Sequence, residues 1–272
     1  FHVITGDAAA AAAFSKLPFD HLFFTGSTPV GRLVAQAAAA NLTPVTLELG
    51  GKSPVVVLDD ADLGVTAERI AFSKLLNAGQ TCVAPDYVLA PRRLVPELAH
   101  AVLAAMKRLY PTLAKNPDYT AIVSPRHYAR LQALLAEAED GGAKLMRVHD
   151  EKLSPAARKL VPTVVLNAEP EMALMREELF GPVLPIQPYD KLAQAIRFVQ
   201  RGERPLALYI FGKNAKARQR ILRETHAGGV TVNDCIWHLG QEDQPFGGVG
   251  ASGQGSYHGE WGERIRKTLA VL

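Results

Sequence analysis

Two side chains of this sequence are framed in ways that suit acyl chemistry. Cys82 closes the segment Asn77-Ala78-Gly79-Gln80-Thr81-Cys82, polar and backbone-permissive, between a helix-like stretch and a strand-like run. A thiolate is a strong nucleophile, and a cysteine set in such a frame reads as more than a small hydrophobe. Glu48, earlier in the chain, lies within the apolar run 44–49 and precedes Gly50-Gly51, where the backbone can turn tightly. A carboxylate embedded in apolar surroundings loses hydration, its pKa rises, and it enters the working range of a general base. Together a thiol and a base suffice to form and hydrolyse an acyl intermediate. The second cysteine, Cys235 in Val232-Asn233-Asp234-Cys235-Ile236, reads as a buried hydrophobe.

The elements that must position these groups alternate between short apolar strands and amphipathic helices. Strands are predicted at 1–5, 21–25, 44–49 and 54–58, with helices at 7–16 and 29–40, a βαβαβ order. Later helices are predicted at 62–76, Val95–Leu109, 125–139, 191–201 and 215–225, and strands at 86–90, Thr163–Leu166, 183–188, Ala207–Phe211 and Gly229–Val232. This order implies an α/β fold, a mostly parallel sheet with helices on both faces. From about Gly240 the chain turns glycine-rich and reads as loop.

Composition narrows the classes. With 272 residues, 48% apolar and 21% charged, the chain can bury a large core. Its net charge of +3 is scattered, with only Arg92-Arg93 and Arg264-Ile265-Arg266-Lys267 clustered, so no stripe suited to nucleic acid is expected. No apolar run is long enough to span a bilayer, and the alanines at 8–13 read as helix. Two cysteines make no disulfide framework, which points to a reducing, cytoplasmic setting. No His/Cys cluster has metal-ligand spacing. The chain opens at Phe1 inside a strand-like run and is expected to be a piece of something longer.

Three further segments carry chemistry only in context. Phe24-Thr25-Gly26-Ser27-Thr28-Pro29 follows a strand and opens a helix, where free N–H groups favour an anion, yet it lacks the G-x-G-x-x-G dinucleotide fingerprint. Arg176-Glu177-Glu178-Leu179-Phe180-Gly181-Pro182 reads as a helix end and a Gly-Pro turn, and Gln244-Pro245-Phe246-Gly247-Gly248 as a surface loop.

With the Glu48 and Cys82 segments, these motifs resemble the aldehyde dehydrogenase superfamily, in its order and across essentially the whole chain. The resemblance implies NAD(P)-dependent oxidation of an aldehyde, with Cys82 as nucleophile and Glu48 as the base that releases the acid. It implies NAD or NADP held by Gly26, Ser27, Leu49, Glu178 and Phe180, with Phe246 at the substrate entrance and no metal. It divides the chain into 1–50, the last part of a Rossmann-type cofactor domain, 51–239, the catalytic domain, and 240–272, a loop-rich segment bordering the site. Ala84-Pro85-Asp86-Tyr87 and Tyr257-His258-Gly259 resemble class 3 members, and 238–243 resembles their coniferyl-aldehyde dehydrogenase group. A small aldehyde, with aromatic ones such as coniferyl aldehyde included, is the implied partner, and a homodimer the implied state of the full-length parent. The family's oxyanion-hole asparagine and adenosine-ribose lysine have no matching segment here, so the chain alone is expected to be inactive. Two other readings compete: a cysteine hydrolase using His238 or His258 as base, and a non-catalytic folded domain.

Overall fold

A computed structural model of the chain describes residues 2–266 and 269–271. In chain order the elements are α1 (Ala8–Phe14), β1 (His21–Thr25), α2 (Thr28–Ala39), β2 (Val45–Glu48), β3 (Pro54–Val57), α3 (Leu63–Leu75), β4 (Tyr87–Pro91), α4 (Val95–Leu109) and α5 (Pro125–Asp140). There follow β5 (Lys144–Arg147), β6 (Thr163–Leu166), α6 (Ala173–Arg176), β7 (Val183–Tyr189), α7 (Leu192–Arg201), β8 (Ala207–Phe211) and α8 (Ala215–Glu224). Last come β9 (Gly229–Val232), β10 (Gly253–Gln254), α9 (Gly259–Arg266) and β11 (Leu269–Val271).

Seven strands form the larger sheet in the order β5-β6-β7-β4-β3-β8-β9, parallel throughout except for β5. Its central strands β3, β4 and β8 are buried along their whole length, as continuous apolar runs require when both faces are covered. Alternation along β3 shows the two layers. Val55 and Val57 pack with Ile70, Leu98 and Met106 of α3 and α4, whereas Val56 packs with Leu131, Leu135 and Val199 of α5 and α7.

The smaller sheet has the order β10-β2-β1-β11, with β1 parallel to both neighbours and β10 antiparallel to β2. Leu22, Phe24, Leu47 and Leu49 pack there against Val34 and Ala38 of α2. β2 is the hinge of the arrangement: Glu48, its last residue, is paired with Thr25 on one side and Gly253 on the other.

Two sequence expectations fail. Residues 2–5 are irregular and exposed, not a strand, because β1 already lies between β2 and β11 and offers them no edge. The glycine-rich end is not a plain loop, since it supplies β10, α9 and β11 and returns the chain to the smaller sheet. Among the described residues, no helix is long and apolar enough to cross a membrane.

Candidate active site

Cys82 is presented by a turn with unusual backbone geometry. α3 stops at Leu75, and Asn77, Ala78 and Gly79 then adopt φ of 51°, 51° and 75°, the left-handed region that disfavours side chains. Side-chain hydrogen bonds hold it there. Asn77 Nδ2 donates to the Gln80 carbonyl at 3.0 Å, and Gln80 Nε2 donates to the carbonyls of Asn77 and Ala121, each at 3.1 Å. Gln80 Oε1 in turn accepts from the Val123 N–H at 2.8 Å. A Cβ at Gly79 would run into the Gly181 carbonyl, so only glycine lets this turn approach the segment around Gly181 so closely.

The thiol is half-buried, and its acidity is set by its surroundings. Burial pushes the Cys82 pKa up to about 11, aided by Glu48 and then Glu178, while backbone groups of Cys82 and Val83 pull it down. Cys82 is therefore mainly a thiol at neutral pH in this state. The charges acting on it are two carboxylates, and neither His238 nor His258 is among them. His238 bonds through Nδ1 to Thr231 Oγ1 at 3.0 Å, and burial lowers its pKa to about 4.

Glu48 is buried, only 4% exposed, and among the described residues neither carboxylate oxygen has a hydrogen-bond partner. Desolvation alone raises its pKa to about 8. Its backbone, by contrast, is fully engaged, with the Gly26 N–H donating to the Glu48 carbonyl at 3.0 Å. Gly26 itself sits where a Cβ would strike the Phe24 ring. The next residue, Ser27, stands at the N-cap of α2 without capping it, which leaves the first turn's N–H groups free of any side-chain oxygen. Leu49 packs in the core of the smaller sheet, filling the space that the missing side chain of Gly31 leaves on α2.

Glu178 belongs to a strap, residues 177–180, whose backbone is tied down residue by residue. Lys52 Nζ bridges to the Asp86 carboxylate and donates to the carbonyls of Leu174 (2.9 Å) and Glu177 (2.8 Å). Asp86 Oδ1 accepts from the Leu179 N–H at 2.8 Å. Arg130 donates to the carbonyls of Glu178 (2.9 Å) and Leu179 (2.8 Å), and His127 Nε2 lies 2.7 Å from the Phe180 carbonyl. The Glu178 carboxylate lies against Gly50, where any Cβ would collide with it. Burial and then Asp86 raise its pKa to about 7, opposed by the Gly51 backbone, Lys52 and Arg130. Phe180 has a left-handed φ of 49° and meets His127 edge-on, ring centroids 6.0 Å apart.

Phe246 departs from the surface-loop reading. It is only 3% exposed, stacked between His238 (5.7 Å) and His258 (5.5 Å), with Tyr257 edge-on at 5.6 Å. Paired backbone bonds between Phe246 and Tyr257, 2.8 Å in each direction, draw it inward. Cys235 is fully buried, bonded to Ser73, and burial holds its thiol well above the usual range.

The structure thus brings both Glu48 and Glu178 to act electrostatically on Cys82 and joins Gly26 to Glu48 through the backbone. Sequence reading missed the supports. Lys52 could have been noticed as the cation directly after Gly50-Gly51, and His127 with Arg130 by their three-residue spacing on one helix face. Asp86 was legible only as a charge at the threshold of an apolar strand.

The arrangement is an α/β fold carrying a turn-mounted thiol with buried Glu48 and half-buried Glu178 acting on it electrostatically, and a helix N-terminus that Ser27 leaves uncapped. The aldehyde dehydrogenase family model matches residues 1–267, and the chain belongs to that family. A probable coniferyl aldehyde dehydrogenase of Pseudomonas aeruginosa is 52% identical over 260 residues, covering 96% of this chain and 54% of that protein. A coniferyl aldehyde dehydrogenase of a Pseudomonas species is 44% identical over 264 residues, 96% of this chain and 55% of that one. Among solved structures, substrate-bound AldH of Staphylococcus aureus superposes with a TM-score of 0.90 at 42% identity, over 95% of this chain and 56% of that one. A Mycobacterium tuberculosis aldehyde dehydrogenase complexed with NAD+ (TM-score 0.83, 31% identity) and a Bacillus halodurans NADP-dependent glyceraldehyde-3-phosphate dehydrogenase complexed with NADP (TM-score 0.83, 30% identity) each share 94% of this chain and 53% of their own. The chain spans about half the length of the relatives it matches.

Proposed function

We propose that the aldehyde dehydrogenase containing this chain oxidises an aldehyde to the carboxylic acid with NAD or NADP, using Cys82 as nucleophile and Glu48 as base. The observation that carries this reading is that buried Glu48 and half-buried Glu178 both act electrostatically on Cys82, with pKa values of about 8 and about 7 that lie near neutrality. Aromatic aldehydes of the coniferyl type are the favoured substrates, as the names of the relatives suggest.

The chemistry proceeds from the minor thiolate form of Cys82, its thiol proton released to solvent, which attacks the carbonyl carbon and forms a C–S bond as the carbonyl π pair moves onto oxygen. Negative charge passes to the carbonyl oxygen, where the Cys82 backbone N–H would serve as a stabilising donor. When bound, the nicotinamide supplies the hydride acceptor that turns the adduct into a thioester. Residues fitted to hold the cofactor are Gly26 and Ser27 at the open start of α2, Leu49 beside them, and Glu178 and Phe180 on the strap. The uncapped N–H groups suit a pyrophosphate, and the Glu178 carboxylate, set against Gly50 and bonded to the Gly51 backbone, suits a ribose hydroxyl as a further donor. Glu48 then takes a proton from water, the hydroxide attacks the thioester carbon, the C–S bond breaks, and the acid departs with the thiolate restored.

The test is reduction of NAD+ or NADP+ coupled to aldehyde oxidation, abolished by Cys82→Ala. Ester hydrolysis without cofactor reduction under any aldehyde condition would replace this reading with that of a cysteine hydrolase.

A further inference from the structure

Tyr209 lies in the middle of β8, a strand buried along its whole length between β3 and β9, where a phenylalanine would fill nearly the same space. A buried phenol needs an acceptor for its hydroxyl. Alternation along β8 sends Tyr209 to the face of the larger sheet that packs with α3 and α4, in one cluster with Val55, Ile70, Val83 and Cys235. There its hydroxyl donates to the carbonyl of Val83, the residue directly after Cys82. The ring is steadied from the neighbouring strand. Thr231 pairs with Tyr209 in register and its Oγ1 lies 3.0 Å from His238 Nδ1, which sets the His238 ring 5.9 Å from that of Tyr209.

From Val83 the hydrogen bonds run on to the nucleophile. The Val83 carbonyl and the Ala84 N–H are the two ends of one peptide unit. That N–H donates to the Thr81 carbonyl at 3.0 Å, closing a four-residue turn with Cys82 and Val83 at its centre. The Thr81 carbonyl shares its own peptide unit with the Cys82 N–H. Because a peptide is planar, a bond accepted at its carbonyl also fixes the direction of its N–H, and it makes that N–H a stronger donor. Three donors therefore act in series: the Tyr209 hydroxyl on Val83, the Ala84 N–H on Thr81, and the Cys82 N–H on the oxygen of a carbonyl that the thiol attacks.

We propose that Tyr209 is a positioning residue for attack on the aldehyde: through the 83–84 and 81–82 peptides its hydroxyl orients and polarises the Cys82 N–H, the donor that receives the charge developing on the carbonyl oxygen. This rests on the reading of Cys82 as the nucleophile. No bond to Tyr209 forms or breaks in the reaction, and the phenol keeps its proton throughout. A phenylalanine at this position keeps the ring but strips the buried Val83 carbonyl of this donor, so the turn is held at one end and the Cys82 N–H loses its fixed direction.

Two reagents separate the aim of the N–H from the exposure of the sulfur. Acetylation by p-nitrophenyl acetate puts charge on a carbonyl oxygen and needs the thiol and the N–H together, whereas alkylation by iodoacetamide displaces iodide and needs the sulfur alone. Both rates are measured on the 272-residue chain, as the p-nitrophenolate burst and as carbamidomethylation of the Cys82 peptide by mass spectrometry, for wild type, Y209F, 4-aminophenylalanine at 209, Y189F and C82A. Y209F should acetylate about tenfold more slowly, short of the roughly 10²–10³ lost with an entire oxyanion donor, and alkylate within about twofold of wild type. 4-Aminophenylalanine keeps a donor at the para position and should restore acetylation to within about threefold of wild type. Y189F loses a bond of the same kind, from Tyr189 to the Val57 carbonyl at the far ends of β7 and β3, and should match wild type with both reagents. Wild-type acetylation by Y209F overturns the proposal, and so does an equal loss with both reagents, which would tie the hydroxyl to the sulfur's exposure. A slow 4-aminophenylalanine protein would assign the effect to the ring, and a Y189F as slow as Y209F would assign it to general loosening; either result overturns the proposal. Acetylation that survives in C82A removes the nucleophile, and both readings fall together. Should Y209F fail to fold, an ester in place of the Val83–Ala84 peptide leaves Tyr209 in its slot, deletes the Ala84 N–H and weakens the Val83 carbonyl as an acceptor. Acetylation should then slow with alkylation retained, and wild-type acetylation counts against the proposal.

Discussion

Glu48 and Glu178 flank the same thiol from opposite kinds of setting. Around Glu178 the backbone of residues 177–180 is tied down by Lys52, Asp86, Arg130 and His127. Around Glu48 the side chain meets no donor among the described residues, and ordinary strand pairing does the holding. A carboxylate whose main chain is pinned and whose oxygens rest on Gly50 is suited to a fixed contact with a bound molecule. A dry carboxylate raised toward pH 8 by desolvation is suited to exchanging protons. The difference lies in which part of the residue the surroundings grip, and it supports assigning binding to the strap and proton transfer to β2.

The largest expected effect lies on the residue that both settings share. Cys82→Ala should eliminate acyl formation, read as the absence of any acetyl adduct by intact mass after p-nitrophenyl acetate treatment. An adduct of undiminished amount, now on Cys235, would move the nucleophile and dissolve the comparison. Next comes the division of labour. Glu48→Gln should leave the acetylation burst in place and slow deacylation about a hundredfold or more, the usual range for a lost general base. Glu178→Gln should leave both phases within a few-fold and instead weaken NAD(P) binding, measured by quenching of intrinsic fluorescence. Equal deacylation losses in both variants would show that the two carboxylates are not specialised.

How far the sequence announces all this depends on the range of the forces involved. The parallel core was legible because strands buried on both faces must be apolar throughout, and Thr163–Leu166 and Ala207–Phe211 lie where the pattern put them; the half-buried edge strand Gly229–Val232 also does. β5 was not, because Lys144–Arg147 is a short antiparallel edge with two exposed cations and no apolar run. Glu48 and Cys82 stood out as polar atoms in conspicuous frames, and their burial and shared electrostatics are now described. The clamp on residues 177–180 was hidden because Lys52, Asp86 and Arg130 act on backbone atoms separated from them by about fifty to a hundred and twenty-five positions. Side-chain to main-chain bonds across such distances leave no periodicity to read. The surface-loop reading of the segment around Phe246 failed for a related reason: its glycines suggested exposure, whereas paired backbone bonds to Tyr257 draw the Phe246 ring inward.

The strap's dependence on one buried ion pair gives the next prediction. Asp86→Ala removes the carboxylate that holds both Lys52 and the Leu179 N–H, leaving a largely buried ammonium and an unsatisfied donor. Breaking such a pair from one side typically costs about 3–5 kcal/mol. Urea unfolding should show a loss near the lower end, about 3 kcal/mol, because Lys52 keeps its two carbonyl acceptors. Asp86→Asn, which can still accept from Leu179, should recover part of it. A loss below about 1 kcal/mol would mean that Arg130 alone fixes the strap and that the two settings are less different than they look.

The smallest effect separates the carboxylates by pH. Folded Glu48 holds its proton to about pH 8, whereas the unfolded chain releases it near the ordinary value of 4.5. Between those limits the native state binds more protons than the unfolded state. Stability from this group is therefore fully present below 4.5, falls as pH rises through the window, and levels off above about 8. Glu178 has the same sign, but its window closes at about 7. Glutamine does not titrate, so each variant loses its own slope. Relative to wild type, Glu48→Gln should gain on the order of 2 kcal/mol between about pH 5 and pH 9, less than the full shift implies because water and relaxation soften the penalty. Any constant effect of the substitution cancels in that difference. For Glu178→Gln the gain should be smaller and complete near neutrality, so urea midpoints of the three proteins across this range give two curves that part above pH 7. If they coincide, or if Glu48→Gln loses ground as pH rises, Glu48 is not the drier carboxylate, and the contrast between a gripped and an ungripped side chain fails at its source.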